Sequence, residues 1–183
     1  MGNFEIKADE FEWICGAADD PKDLCLHGHV TVRFGDTVLE DCGSVSATAI
    51  YLLKTLTEDK VMAKYDIQMV PCCGHTLLAN HDLTEVQILG CDAGMDWSTI
   101  HEGDTVRFIL PSGQEEVVTF REYLHEVVDF AKSVKLYYDA CTPKEIPDDE
   151  LDRHGYIAFW NEWERRYHEA LVFLSEEPDE IST

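Results

Sequence analysis

Positive charge is scarce in this chain. Fourteen Lys and Arg residues stand against 37 Asp and Glu, and the formal net charge is −23 at pH 7. Nucleic acid is itself densely anionic, so direct nucleic-acid binding is not expected of so acidic a chain. Anionic membrane surfaces are disfavoured by the same repulsion. Also missing is any apolar run of about eighteen residues, the length a membrane-spanning helix needs. The start Met1-Gly2-Asn3-Phe4 lacks the basic and apolar regions of a secretory signal. Ile6 stands where myristoylation of Gly2 would prefer Ser or Thr. These absences predict a cytoplasmic protein. There is no Gly-x-Gly-x-x-Gly, phosphate-binding loop, His-Glu-x-x-His, Gly-x-Ser-x-Gly or calcium loop, so no familiar enzyme signature is in view.

What is present is enough apolar material for a core. The hydrophobic fraction is 45% over 183 residues, a length that fits one domain. Period-two alternation predicts strands over Phe4–Ile14 and Leu24–Phe34, the second with Leu26, Gly28, Val30, Val32 and Phe34 on one face. A turn at Gly35-Asp36 leads to a returning strand. Ser44 can cap a helix reaching Lys60. Extended pieces are expected at 61–70, 76–79, 85–89 and 94–100, followed by a hairpin around Pro111-Ser112-Gly113-Gln114. At Thr119 the period changes to three and four residues, which predicts an amphipathic helix. After Pro143 and Pro147, Asp148 can cap a last helix, with Gly155 as a kink or break. Strands first and long helices last give an α+β domain: a twisted, mostly antiparallel sheet, one early helix and two C-terminal helices packed on it. Residues 1–118 are then mainly β, 119–175 helical, and 176–183 an acidic, frayed tail.

Cysteine and histidine concentrate in one stretch. Between Val70 and His101 lie three of the seven cysteines and three of the eight histidines. Cys72, Cys73, His75, Cys91 and His101 are the first candidate ligand set, because thiolate and imidazole are the groups zinc prefers. Adjacent cysteines in a strand, however, point to opposite faces. The second set is Cys25, His27 and His29, whose i, i+2, i+4 spacing puts them on one face of a strand. A Cys91–His101 nucleophilic arrangement lacks a cation or helix start to lower the thiol pKa. In a reducing compartment the thiols should be free or metal-bound. Trp160, Trp163 and Tyr167 form a helical stripe expected to face the core. Asp19-Asp20 and Asp148-Asp149 read as solvated turn and cap residues.

Pro71-Cys72-Cys73-Gly74-His75, Gly90-Cys91-Asp92-Ala93-Gly94-Met95-Asp96-Trp97 and the segment from Gly155 to Trp163, together with small size and strong acidity, loosely resemble small acidic bacterial immunity proteins of polymorphic-toxin and contact-dependent inhibition systems. The resemblance implies a non-enzymatic protein that masks a basic protein partner, such as a nuclease toxin, and needs no cofactor. The rival expectation is a zinc protein built on the cysteines and histidines of 72–101. A third is a structural or regulatory domain without a ligand.

Overall fold

A computed structural model describes residues 3–14, 19–63, 67–74, 76–91 and 93–175. The chain is α+β, and every strand pairing is antiparallel. Strands β1 (Phe4–Trp13), β2 (Leu26–Phe34) and β3 (Thr37–Ser44) form one sheet in that order. Helix α1 (Val45–Lys54) follows directly. After it come β4 (Val70–Pro71), β5 (Thr76–Ala79), β6 (Val86–Leu89) and β7 (Gly94–Met95), where β4 pairs with β7 and β5 with β6. Strands β8 (Ser98–Glu102), β9 (Thr105–Ile109) and β10 (Glu115–Thr119) make the second three-stranded sheet. Helices α2 (Phe120–Ala140) and α3 (Glu150–Ser175) close the chain.

The alternation in β2 is realised residue by residue: Leu26, Gly28, Val30, Val32 and Phe34 are buried and the residues between them are half-buried. Phe4 and Phe34 from the first sheet meet Phe108 of β9, with ring centroids 4.7 and 5.2 Å from it. Trp97 and Tyr123 complete this aromatic cluster, at 5.3 Å from Phe34 and 5.2 Å from Phe4. Stacked and edge-on ring pairs at these spacings add to plain area burial. The cluster is what joins the two sheets to α2. Strand β1 is an edge, and two of its outward N–H groups are met by α2. Glu122 accepts from Phe4 N–H at 3.1 Å and Glu126 from Ile6 N–H at 3.2 Å, so α2 covers the edge with carboxylates. Burial pushes the Glu126 carboxyl upward, against the Ile6 bond that favours its charge.

The helix starts follow their caps. Ser44 Oγ accepts from Ala47 N–H at 3.3 Å, and Thr119 Oγ1 from Glu122 N–H at 3.1 Å. Three expectations need correction. Helix α1 stops at Lys54 instead of reaching Lys60, and the described part of 61–69 contains no strand. Asp149, not Asp148, caps α3, accepting from Leu151 and Asp152 N–H at 2.9 and 3.2 Å. Gly155 neither kinks nor breaks α3. The helix runs through it for 26 residues, because Gly155 is needed where the helix touches β5. The acidic tail 176–183 lies outside the described residues. Although α2 and α3 are long, no helix among the described residues is both long and apolar enough to cross a membrane.

Candidate functional site

Two places in the fold gather chemistry. The first is the junction of the β4 and β7 segments. Val70 pairs with Met95 and Pro71 with Gly94, and Cys72 N–H continues the ladder to the Ala93 carbonyl at 3.1 Å. Glycine makes this approach feasible. Gly94 has φ +140°, and a Cβ on it would sit 2.3 Å from the Val70 carbonyl oxygen. A Cβ on Gly90 would sit 2.8 Å from the Cys73 carbonyl oxygen. The two segments can therefore lie backbone against backbone, and their thiols converge. The sulfur atoms of Cys72, Cys73 and Cys91 all lie within 4.8 Å of one another. Among the described residues no other such group of His, Cys, Asp or Glu occurs. Cys91 N–H donates to Cys73 Sγ at 3.2 Å.

Alternation was expected to send Cys72 and Cys73 to opposite faces. It does not apply here, because β4 ends at Pro71 and the chain bends at Cys72. The expectation of free or metal-bound thiols also meets a difference: Cys72 and Cys91 are joined as a disulfide, while Cys25, Cys42, Cys73 and Cys141 are free. His75 lies outside the described residues. His101 stands elsewhere: its Nε2 donates to the Thr55 carbonyl at 2.9 Å, and its ring packs 5.8 Å from that of Phe120.

The Cys25, His27, His29 set is divided. Cys25 precedes β2 and is buried, with its Sγ 3.2 Å from Ser44 Oγ. His29 Nδ1 lies 3.3 Å from Asp9 Oδ1 across the sheet. His27 is held by two carbonyls, Cys25 O at 3.0 Å from Nδ1 and Cys72 O at 3.3 Å from Nε2. A carbonyl can only accept, so the doubly protonated imidazolium is the form that satisfies both contacts. The Cys25 side chain beside it is the largest influence, followed among the favourable ones by the two carbonyls. Together they overcome desolvation and push the His27 pKa up from 6.5 to about 9. The sign of the consequence is fixed. A pKa raised on folding contributes stability that is fully present below 6.5 and is lost as pH rises through about 9. Urea midpoints at these two pH values should therefore drop more in the wild type than in His27→Gln. Half-exposure keeps the difference modest. Equal drops would show that no charged imidazole is held between the carbonyls.

The second place is a cleft of about 460 Å³ between the loop before β2, strand β5 and the start of α3. Ile14, Leu24, Leu77 and Pro147 supply apolar wall, Asp20, Asp23 and Asp152 supply carboxylates, and Lys22 supplies a cation. The loop that forms one side is tied to the α2–α3 connection. Lys144 Nζ reaches Asp19 Oδ1 at 2.7 Å and the Asp20 carbonyl at 2.8 Å, and Glu145 N–H donates to the Pro21 carbonyl at 2.8 Å. The Lys144 ammonium also lies 3.3 Å from the centre of the Trp13 ring. Exposed Ile14, Ile146 and Leu151 stand on or next in sequence to the lining residues. In the sequence the neighbouring Asp19-Asp20 and Asp148-Asp149 pairs have the pattern of turn and cap residues. The one signal available was that both segments combine aspartate with a proline and an isolated apolar side chain.

No family model matches the chain, and comparison with curated proteins and with solved structures also finds no match.

Proposed function

We propose that the chain is a non-enzymatic acidic binding protein that masks a basic protein partner, with a lysine- or arginine-bearing segment of the partner seated in the 460 Å³ cleft. The observation that supports this reading is the division of the cleft wall into apolar side chains and three carboxylates. Lys and Arg are long aliphatic stems with a charged head, and they bury the first while keeping the second paired. Leu24, Leu77 and Pro147 suit the stem, and Asp20, Asp23 and Asp152 suit the head. Exposed Ile14, Ile146 and Leu151 extend the apolar surface beyond the cavity, which favours a protein over a small amine. The net charge of −23 would hasten encounter with such a partner from any side. A toxin that binds nucleic acid presents a basic surface of this kind, in keeping with the immunity-protein resemblance.

The test is recovery of the partner from the native cell extract, then calorimetry with the purified pair. Affinity should fall steeply between about 50 and 500 mM salt, as screening removes the charge attraction. Asp20→Asn combined with Asp152→Asn should weaken binding by about tenfold or more, in the range of a charge pair at an interface. Both positions are exposed, so folding should survive. Binding indifferent to salt and to this double substitution would defeat the proposal.

A further inference from the structure

We infer that Cys72, Cys73 and Cys91 are a metal site governed by redox state: reduction of the Cys72–Cys91 disulfide frees three thiols that together take a single soft, thiophilic divalent ion such as zinc. This inference does not rest on the masking reading, since the thiols do not line the cleft.

The geometry suits the ion. Zinc–thiolate bonds of about 2.3 Å in a tetrahedral site place the sulfurs about 3.8 Å apart. The three sulfur atoms here already lie within 4.8 Å of one another, so a small adjustment suffices. The carriers are held apart from the sulfurs' own bonding. Cys72 is placed by its N–H bond to Ala93, and its carbonyl receives His27 Nε2. Cys91 is placed by the close backbone approach at Gly90 and Gly94. The site is thus set by the backbone and does not need the disulfide to gather it. Nor are these thiols core fillers: Cys91 is exposed, and Cys72 and Cys73 are half-buried. A fully buried cysteine packs as a small hydrophobe, whereas these can be reached by solvent and by an ion.

The ion itself drives the thiols into the thiolate form by displacing their protons. Gly74, next in sequence to Cys73, lies against the start of α1, where a Cβ on it would meet Ala47 Cβ at 2.8 Å and Ser44 Oγ at 2.9 Å, so this contact also fixes the backbone that carries Cys73. The acidic chain as a whole raises the local concentration of cations. Three protein thiolates leave a tetrahedral ion one position for a further ligand.

The chemistry balances simply. A dithiol reductant gives two electrons and two protons to the Cys72–Cys91 bond and leaves as its own disulfide. Two thiols form, and Cys73 is the third. The ion then displaces the thiol protons into solvent as three metal–sulfur bonds form. In the reverse sense a disulfide oxidant takes two electrons from the Cys72 and Cys91 thiolates and leaves as its dithiol, the Cys72–Cys91 bond re-forms, the ion is released, and Cys73 takes up a proton from solvent.

The experiment uses the full chain, reduced with dithiothreitol and freed of it under nitrogen, against the same chain in its disulfide form. Zinc is titrated in competition with a chromogenic chelator, and cobalt is added separately to read thiolate-to-cobalt charge transfer. The reduced chain should hold one ion, with the charge-transfer band, and the disulfide form should hold none. Cys73→Ser should weaken binding by about a hundredfold or more, since even outer-shell changes reach that size. Cys42→Ser, an exposed free thiol elsewhere, should leave it unchanged. Equal binding by both redox forms, undiminished binding by Cys73→Ser, or no binding by a reduced chain whose circular dichroism is intact would each overturn the inference. The comparison of redox forms needs no substitution, so it stands even if a variant fails to fold.

Discussion

Glu162→Ala is expected to destabilise the fold by about 3–5 kcal/mol, the cost of removing one member of a buried ion pair. Glu162 is fully buried in the middle of α3. One carboxylate oxygen accepts from Val86 N–H at 2.7 Å, which anchors β6 to the helix. The other accepts from Arg166 Nε at 2.8 Å and lies 3.2 Å from Lys54 Nζ of α1. Burial alone would push the Arg166 guanidinium down, and its bonds to Glu58 and Glu162 hold it up instead. Loss of the carboxylate would leave a buried N–H without an acceptor and two cations short of a counter-charge. For a chain of this length 1 kcal/mol corresponds to about 2–4 °C in Tm, so a fall of roughly 10 °C should be seen by calorimetry. Glu162→Gln, which keeps an oxygen for Val86, should lose less. Exposed Glu164, two residues on, should tolerate alanine within about 0.5 kcal/mol. A Glu162→Ala protein as stable as Glu164→Ala would mean that the network contributes nothing.

Glu162 also marks the limit of what the sequence made legible. Its segment was read from Trp160, Trp163 and Tyr167, and Trp163 is indeed buried, at 2% exposure. A charged residue between two tryptophans gave no sign that it too would be inside. Its burial depends on Val86 and Lys54, which are far away in the chain. The same holds for the thiols. Their residue types suggested ligands at once, and the alternation rule then argued against convergence. That rule presumes a continuing strand. What defeats it is a bend after Pro71 and the approach of a second backbone, made possible by Gly90 and Gly94. Local period was enough for β2, α2 and α3, where one face meets the core throughout. It was not enough at 61–63 and 67–69, where apolar residues occur in no described strand. The cleft was least visible of all, because its walls come from three segments far apart in the chain, and the aspartates that two of them carry have an adequate local reason to be present.

Gly155→Val should be the other large loss, and Gly155→Ala a smaller one of the same sign. Helix propensity alone predicts the opposite, since alanine in mid-helix is better than glycine by about 1 kcal/mol. Contact decides the sign. A Cβ on Gly155 would lie 2.2 Å from the Leu77 carbonyl oxygen and 2.8 Å from its carbonyl carbon, both backbone atoms of β5. No rotamer relieves such an overlap, so α3 and β5 must part. Overpacking of this kind costs about 1–3 kcal/mol for small additions and more for larger ones. The β5–β6 hairpin is joined to the same helix again at Asn161, which donates to the Leu83 carbonyl at 2.8 Å, and at Glu162. Prying at Gly155 therefore loads the Glu162 network as well, and the two substitutions should be non-additive in a double-mutant cycle. Urea unfolding of the single and double variants measures both effects. A Gly155→Ala protein more stable than wild type would show that helix and strand can separate freely there. The cleft supplies a second readout, because Leu77 and Asp152 lie on its walls and flank the point of contact. Moving α3 away from β5 widens the wall that would hold a lysine or arginine stem. Partner affinity should fall in Gly155→Ala even under conditions where the fold is fully populated, while the thiol cluster, built on β4 and β7, keeps its geometry.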